Sequence, residues 1–378
     1  MTLRPSLIAL AVLAVVLRLA AYKALSLPFG ALADAMCQYD CGWYLRIAEK
    51  GYMANAEFAN YGPIPHFAFF PLYPLMVKFA FVLMPETDGM LGQEVAGMVV
   101  SNLTFLGFIL ASIVYAQRTR PGLDPRLLIP LLVLSPYGYF FSSVYTESLF
   151  ALLLLLACLM LAERRAMACA VFCALLCATR PTGVIMLLPL GIERALHLWE
   201  GRRRGDRVEL LAETLLPMAI APLGLSLFMA LQYAEIGDAL AFSHVQILWD
   251  RHWVGPFAML EQGFGQWDWW KLLDPKAAPS QSYDAAWAVI GLAVAVGLAA
   301  KRRFVEAWIL AASVLLPLAT GLHSLARFVG TNPFFLLVLA GWLGRIRSGL
   351  VLAVVFAGLV VIHAATLELW FVAANSAY

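Results

Sequence analysis

The chain has 378 residues, of which 62% are hydrophobic and only 13% are charged, and its formal net charge is +2 at pH 7. Soluble domains are nearer half apolar and a quarter charged, so this composition excludes a soluble domain and predicts an integral membrane protein. A net charge this close to zero gives no reason to expect a nucleic-acid partner.

The apolar runs predict an all-α polytopic membrane protein that forms a single domain over residues 1–378. The first run follows Arg4 and ends near Leu25. It is longer than a signal-peptide core and lacks a small-residue cleavage site, so we interpret it as a retained span. Runs of about 20 apolar residues can cross the bilayer. We predict about eleven spans, near residues 6–25, 92–116, 127–142, 145–162, 166–180, 183–197, 210–232, 285–300, 304–322, 325–343 and 348–370.

Basic residues decide the orientation of these spans. They form clusters that all fall on one side of the membrane in this assignment, and the positive-inside rule makes that side cytoplasmic. The N-terminus is then inside and the C-terminus outside. The clusters are Arg4, Arg118 with Arg120 and Arg126, Arg164 with Arg165, the arginines from Arg194 to Arg207, Lys301 to Arg303, and Arg345 with Arg347.

The assignment requires that residues 68–84 do not cross the membrane, although they are apolar enough to do so. Counting them as a span would place Arg118 to Arg126 outside. Pro71, Pro74 and the neighbouring aromatic residues fit an interfacial helix better. We therefore predict a first outer loop over 26–91 that carries two interfacial helices, and a second large outer segment over 233–284.

The most informative outer stretch runs from Tyr39 to Tyr52, just outside the first span. Asp40 lies in it, and a carboxylate in a partly enclosed site of low dielectric has its pKa raised towards the range of a general base. The alternative is a helix N-cap, for which Asp is a favoured residue. The two roles are compatible, because a capping position leaves the carboxylate accessible.

Two outer turns carry the next candidates. In Tyr145-Thr146-Glu147-Ser148, Glu147 opens a span, and a carboxylate so close to hydrocarbon is either functional or a helix cap, with Thr146 as the alternative cap. In Arg180-Pro181-Thr182-Gly183, Arg180 has no partner nearby in the sequence. Its guanidinium suits a phosphate, and the alternative is contact with lipid headgroups.

The second half of the chain offers two further outer segments. Phe242 to Trp253 is dense in His, Gln, Trp and Arg, which suit sugar hydroxyls and phosphate, although an interfacial belt is the alternative. His323 to Phe328 is a tight turn that carries Arg327, a second candidate phosphate ligand. The sequence has no glycine-rich phosphate loop, no zinc spacing of Cys and His, and no G-x-S-x-G motif. These absences argue against an enzyme that hydrolyses nucleotides or uses a catalytic serine. If the outer segments bind and transfer a sugar, a lipid-linked sugar donor therefore fits better than a nucleotide-linked one.

The six cysteines do not predict a disulfide framework. Cys169, Cys173 and Cys177 repeat at helical spacing in an apolar run and are interpreted as small packing residues. Cys37 and Cys41 flank Asp40. We expect no disulfide between them, because positions i and i+4 of a helix hold their Cβ atoms too far apart.

Four blocks of sequence, in order along the first half, resemble the PIG-V family, which comprises the second GPI mannosyltransferase and its bacterial relatives. Tyr39-Asp40 with Leu45, Ile47-Ala48-Glu49 and Gly51-Tyr52 resembles the family's W-D…F-L-x-I-A-x-x-G-Y motif, with Tyr39 in place of the usual Trp. The other blocks are Phe67 to Leu75 (F-A-F-F-P-x-x-P-L), Ser135-Pro136 with Tyr145 to Leu152 (S-P…Y-S/T-E-S/A-L-F-A-L), and Arg180 to Gly183 (R-x-x-G). The second half matches only loosely, through Phe242 to Gln246 and Arg327-Phe328.

The resemblance implies a glycosyltransferase of the GT-C fold that uses a polyprenyl-phosphate sugar, with mannose from dolichyl-phosphate mannose as the family's donor. It maps the family's catalytic carboxylate onto Asp40. We predict that Arg180, Arg327 and His244 hold the donor phosphate and that further residues contact substrate. These substrate-contacting residues are predicted to be Tyr39, Trp43, Tyr145, Glu147, Gln246 and Trp249.

No cofactor and no metal site are predicted. The expected partners are the lipid-linked donor, a glycan or glycolipid acceptor, and membrane lipids. Compact loops and a composition rich in Ala, Leu and Arg predict a bacterial inner-membrane protein. The outer segments carry most of the candidate residues, so we predict an active site on the extracytoplasmic face.

Two other functional classes are compatible with a polytopic membrane protein. A transporter or flippase of lipid-linked sugars would carry ionisable groups near the bilayer midplane and broken helices in repeated halves. In this sequence the charges fall mostly at the ends of spans, and no internal repeat is found. A non-catalytic subunit of a membrane complex would not need Asp40.

Overall fold

The computed structural model describes residues 3–52, 65–84, 89–201, 207–265 and 281–375, and this part of the chain is helical without β-strands. Parts of both predicted outer segments, namely 53–64, 85–88 and 266–280, lie outside the described residues. The α-helices are α1 (Pro5–Ser26), α2 (Leu32–Met36), α3 (Cys41–Lys50), α4 (Leu72–Val82), α5 (Gly89–Thr119), α6 (Pro125–Leu134), α7 (Glu147–Ala162), α8 (Ala166–Cys177), α9 (Leu187–Gly201), α10 (Arg207–Ile220), α11 (Leu223–Ile236), α12 (Ala241–His244), α13 (Pro256–Gly265), α14 (Gln281–Ala300), α15 (Phe304–Leu318), α16 (Leu325–Gly330), α17 (Pro333–Leu343) and α18 (Gly349–Asn375). Five 3₁₀ segments cover Leu27–Phe29, Pro65–Ala68, Gly138–Phe141, Pro181–Met186 and Val245–Trp249.

Four helices in the described ranges are long and apolar enough to cross a membrane: α1, α5, α14 and α18. A fifth span is formed if α10 and α11 are taken together, across a bend of 48°. The bend lies at Pro222, which occupies the N-cap of α11 and cannot donate a helical hydrogen bond. The prediction of an all-α membrane protein is confirmed at this level, and the number of eleven spans stays a prediction.

Two predicted spans are interrupted in the structure. The segment 127–142 is helical only to Leu134, because Ser135 precedes Pro136 and adopts an extended backbone with ψ 143°. The segment 325–343 is divided into α16 and α17, since Asn332 caps α17 and Pro333 opens it. In both places the backbone leaves the helix inside the predicted span, and the break at Asn332 lies in the wall of the cavity described below.

The segment 68–84 contains α4, an apolar helix of 11 residues. At about 1.5 Å per residue such a helix is roughly 17 Å long and too short to cross the bilayer alone. Its outer side exposes Leu75, Phe79 and Val82. This length and exposure fit the interfacial placement, which stays a prediction.

Two of the basic clusters meet at one end of the helix bundle. Arg118 pairs with Glu163, and Arg120 Nη2 lies 2.6 Å from Glu306 Oε2. Arg303 donates to the same Glu306 at 2.9 Å, so the C-terminal ends of α5 and α7 lie beside the start of α15. Because α7 runs from Glu147 to Ala162, the basic end lies roughly 24 Å from Glu147.

A buried polar chain fixes the break after α6. Arg18 Nε donates to the Tyr22 hydroxyl at 2.8 Å, and that hydroxyl lies 2.6 Å from His363 Nε2. His363 Nδ1 lies 2.7 Å from the Ser135 carbonyl, so Nδ1 must carry the proton and Nε2 must accept from Tyr22. This series of hydrogen bonds therefore connects α1 and α18 to Ser135, the first residue of the irregular segment that leads to Glu147.

Candidate functional site

A cavity of about 800 Å³ lies at the end of the bundle opposite the basic clusters. Its walls come from the α3 N-terminus, the turn before α7, the turn after α8, the segment around Val245–Trp249, and the ends of α15 to α17. The polar side chains that line it include Asp40, Tyr44, Tyr145, Glu147, Arg180, Thr182, Ser243, Gln246, Arg251, Ser313, Thr320, His323, Ser324, Arg327, Thr331 and Asn332.

Asp40 lines the cavity as a free carboxylate. It occupies the N-cap position of α3, but its side chain accepts no backbone N–H there. Among the described residues it forms no ion pair, although Arg327, Arg180 and Arg251 are near enough to act on it electrostatically. Burial raises the pKa of the Asp40 carboxyl above its usual range, and Arg327 opposes this rise. Asp40 therefore occupies the N-cap position without making the capping hydrogen bond, and its carboxylate remains available to a ligand.

The expectation that Cys37 and Cys41 stay unpaired is wrong. The two form a disulfide with their Cα atoms 5.2 Å apart. The expectation assumed one continuous helix, whereas Cys37 has left α2 with φ −101° and ψ 81°, and Tyr39 turns the chain with φ +52°. The disulfide encloses Gln38, Tyr39 and Asp40 in a five-residue ring, which we call the Asp40 loop.

Glu147 is buried at the cavity wall between two arginines, with 1% of its side chain exposed. Arg180 Nη2 lies 2.5 Å from Glu147 Oε1, and Arg327 Nε lies 3.5 Å from the same oxygen. Arg180 Nε also donates to Thr146 Oγ1 at 2.5 Å. The partner of Arg180 that the local sequence did not reveal is thus Glu147, which is 33 residues earlier in the chain (180 − 147).

Local packing explains why Arg180 points at Glu147. Arg180 has an extended backbone between α8 and the 3₁₀ segment Pro181–Met186. Gly183 of that segment lies directly against the backbone of Leu176 and Cys177, where a Cβ atom would collide. Thr182 lies inside the 3₁₀ segment and so does not cap a following helix. Glycine at this position lets the turn close tightly enough to direct Arg180 across to the N-terminus of α7.

Arg251 is the cavity arginine that has no carboxylate partner within the described residues. It follows Asp250, which turns the chain with φ +53°. Its Nη2 donates to the His323 carbonyl at 3.1 Å, which leaves the other guanidinium N–H groups available. The sequence placed Arg251 in a promising outer segment, but nothing in its pattern distinguished it from its neighbours.

The structure brings together seven of the ten predicted site residues. These are Asp40, Tyr145, Glu147, Arg180, Gln246, Trp249 and Arg327.

The other three predicted site residues lie outside the cavity lining. Tyr39 is 70% exposed and packs on Trp370. Trp43 stacks behind Phe69, which itself lines the cavity. His244 pairs with Asp238 at 2.7 Å, and their hydrogen bond lowers the pKa of Asp238. A role for His244 at a donor phosphate therefore has no geometric support here.

The arrangement offers a base, a cationic wall and an apolar floor in one cavity. Asp40 can accept a proton, the arginines can stabilise negative charge, and Phe69 and Trp249 can stack on a sugar ring. In the described ranges no three His, Cys, Asp or Glu side chains lie together so as to hold a metal ion.

Similarity to known proteins is found at the level of one family model. No curated protein and no solved structure gives a significant match to the chain. The family model for mannosyltransferase (PIG-V) matches residues 23–248, which include Asp40, Glu147, Arg180 and Gln246. Because this match covers more than half of the chain, the protein belongs to the PIG-V family of mannosyltransferases.

Proposed function

We propose that this glycosyltransferase moves mannose from a polyprenyl-phosphate donor to a hydroxyl of an extracytoplasmic glycan or glycolipid, with inversion at the anomeric carbon. The observation that carries the proposal is the free Asp40 carboxylate facing a wall of arginines across one cavity. Family membership supports mannosyl transfer in general and does not favour a transporter. Donor, acceptor and stereochemistry are inferred from the residues of the cavity.

The charge of the cavity fits a phosphodiester. Among the described residues that line it, three arginines face two carboxylates, which leaves one positive charge when both carboxylates are ionised. A lipid-phosphate sugar carries one negative charge, and its leaving phosphate gains more as the glycosidic bond breaks. Arg180 and Arg327 are occupied by Glu147, so Arg251 is the best placed to bind the donor phosphate directly.

The cavity also has an apolar extension that suits a prenyl chain. From Glu147 it follows one side of α7 past Ala151 to Leu154, a distance of roughly 10 Å. Leu225 of α11 and Leu316 of α15 complete this part of the wall. Leu316 is 46% exposed although it lines the cavity. We infer that the cavity opens sideways towards lipid between α11 and α15.

The reaction needs one proton transfer and one displacement. Asp40 removes the proton of the acceptor hydroxyl as its oxygen attacks the anomeric carbon of mannose. The bond from that carbon to the phosphate oxygen breaks, and the electron pair leaves with the lipid phosphate. Arg251, supported by Arg180 and Arg327, stabilises the charge that accumulates on the phosphate. Attack from the side opposite the leaving group gives inversion.

The location of the cavity supports an extracytoplasmic reaction. It lies at the opposite end of α7 from the basic cluster around Glu163, which the positive-inside rule assigns to the cytoplasm. A bacterial inner membrane remains the prediction for this composition.

Asp40→Asn should reduce transfer at least a hundredfold, because general-base catalysis contributes roughly 10²- to 10⁴-fold to such reactions. In the wild type, kcat/KM should fall as the pH falls through the raised pKa of Asp40, above the usual range for an aspartate. Both are measured on purified enzyme in detergent or liposomes, with thermal unfolding as the control for an intact fold. Full activity of Asp40→Asn would remove Asp40 as the base.

Arg251→Gln should raise the donor KM and lower kcat, together by roughly ten- to a hundredfold, since a charge-assisted hydrogen bond contributes about 1.5–3 kcal/mol. Arg251→Lys should recover part of the loss, because lysine keeps the charge without the planar fork. Arg347→Gln, which removes an exposed arginine outside the cavity, is the matched control and should leave the kinetics unchanged. Equal kinetics in Arg251→Gln and the control would exclude Arg251 as a phosphate ligand.

Leu316→Trp should narrow the lateral opening and weaken binding of a long-chain donor by about fivefold, the equivalent of about 1 kcal/mol of lost apolar contact. A donor with one or two isoprene units should be affected less. Leu315→Trp is the matched control, because Leu315 is adjacent, similarly exposed at 39%, and does not line the cavity. Steady-state kinetics with the two donors decide the outcome. An equal effect of both substitutions, or none, would place the lipid elsewhere.

A further inference from the structure

Tyr145 touches the Asp40 loop through its hydroxyl, although its ring belongs to the segment that leads into α7. The hydroxyl accepts the backbone N–H of Asp40 at 3.1 Å and donates to the Gln38 carbonyl at 3.0 Å. The side chain is 1% exposed. A buried hydroxyl that both accepts and donates has used its main hydrogen-bonding capacity, so little of it remains for a substrate.

The ring of Tyr145 is held from several sides. Tyr44, Phe140 and Trp370 contact it edge to face, with centroid distances of 6.1, 5.3 and 5.7 Å. The Arg327 guanidinium lies 5.6 Å from the ring centroid. These contacts fix where the hydroxyl lies, so the hydroxyl can serve as a rigid anchor for a flexible partner.

The Asp40 loop needs such an anchor. The loop joins the short helix α2 to α3, and Tyr39 adopts φ +52°, a conformation that L-residues rarely favour. The disulfide closes the loop covalently. The Asp40 side chain, however, accepts no capping hydrogen bond from a backbone N–H and makes no ion pair within the described chain. The hydroxyl of Tyr145 hydrogen-bonds to the two backbone groups on either side of Tyr39, the Gln38 carbonyl and the Asp40 N–H. These bonds set the direction in which the Asp40 side chain enters the cavity.

We propose that Tyr145 is a positioning residue, whose hydroxyl holds the Asp40 loop so that the carboxylate faces the acceptor, rather than a residue that contacts substrate. The proposal rests on the proposed function, in which Asp40 is the base. A base displaced by a fraction of an ångström transfers protons poorly, while donor binding at the arginines is untouched. The effect should therefore appear in kcat and not in the donor KM.

The test is Tyr145→Phe, which keeps the ring and its aromatic contacts and removes only the hydroxyl. We expect kcat to fall roughly tenfold with the donor KM within about twofold of wild type. Tyr73→Phe is the matched control: it also removes a buried hydroxyl, one that bonds to Ser101 at 2.7 Å and Gly97 at 3.1 Å, without contact to the Asp40 loop. An unchanged kcat, an equal loss in the control, or a change in KM alone would overturn the positioning role.

Amide hydrogen exchange gives a readout that does not depend on turnover. In the wild type, the Asp40 amide should exchange more slowly than the Tyr39 amide, and Tyr145→Phe should accelerate it while Tyr73→Phe should not. If Tyr145→Phe does not fold, the wild-type comparison still decides, since equal exchange of both amides would contradict the anchor. If Asp40→Asn keeps full activity, the proposed function fails. If Asp40→Asn loses activity but Tyr145→Phe changes neither kcat nor the exchange of the Asp40 amide, the positioning role of Tyr145 fails and the proposed function stands.

Discussion

The site depends on one buried carboxylate, Glu147. An ionised carboxylate next to hydrocarbon is unstable unless it is paired, and removal of one partner from a buried pair typically destabilises a protein by about 3–5 kcal/mol. The chain neutralises Glu147 with Arg180 and Arg327, which come from segments far apart in the sequence. This pairing joins the start of α7 to the turn after α8 and to α16, so three elements of the cavity wall are held by the same charge.

This pairing separates two roles that similar side chains could otherwise share. Glu147 is enclosed by arginines and serves to organise them, whereas Asp40 faces the same arginines, forms no ion pair within the described residues and keeps its capacity to accept a proton. The cationic excess of the cavity then rests on Arg251, whose guanidinium donates to the His323 backbone carbonyl and has no carboxylate partner in the described part of the chain. A lipid phosphate bound there would complete the charge balance of the cavity, and this gives a physical reason for affinity before any chemistry takes place.

Much of the site can be predicted from the sequence because its residues lie in short, chemically distinctive segments. A charge beside an apolar run requires an explanation, and this points to Asp40, Glu147 and Arg180, which also lie in the family motifs. The pairing of Glu147 with Arg180 and Arg327 could not be predicted, because it depends on how distant turns meet. The Cys37–Cys41 disulfide was missed since the spacing was interpreted as helical, although the chain turns at Tyr39. The hydrophobic pattern likewise does not reveal the breaks at Ser135 and Asn332, because the apolar run continues through both positions. The helix is interrupted there by Pro136 after Ser135 and by the N-cap Asn332 with Pro333.

A reconstitution shows whether the cavity uses a lipid-linked donor. The purified protein is placed in liposomes with either polyprenyl-phosphate mannose or nucleotide-linked mannose, and transfer to a panel of glycan and glycolipid acceptors is measured. We expect transfer from the polyprenyl-phosphate donor and none from the nucleotide-linked one. Robust transfer from the nucleotide-linked donor, with all lipid carrier excluded, would contradict the proposed function.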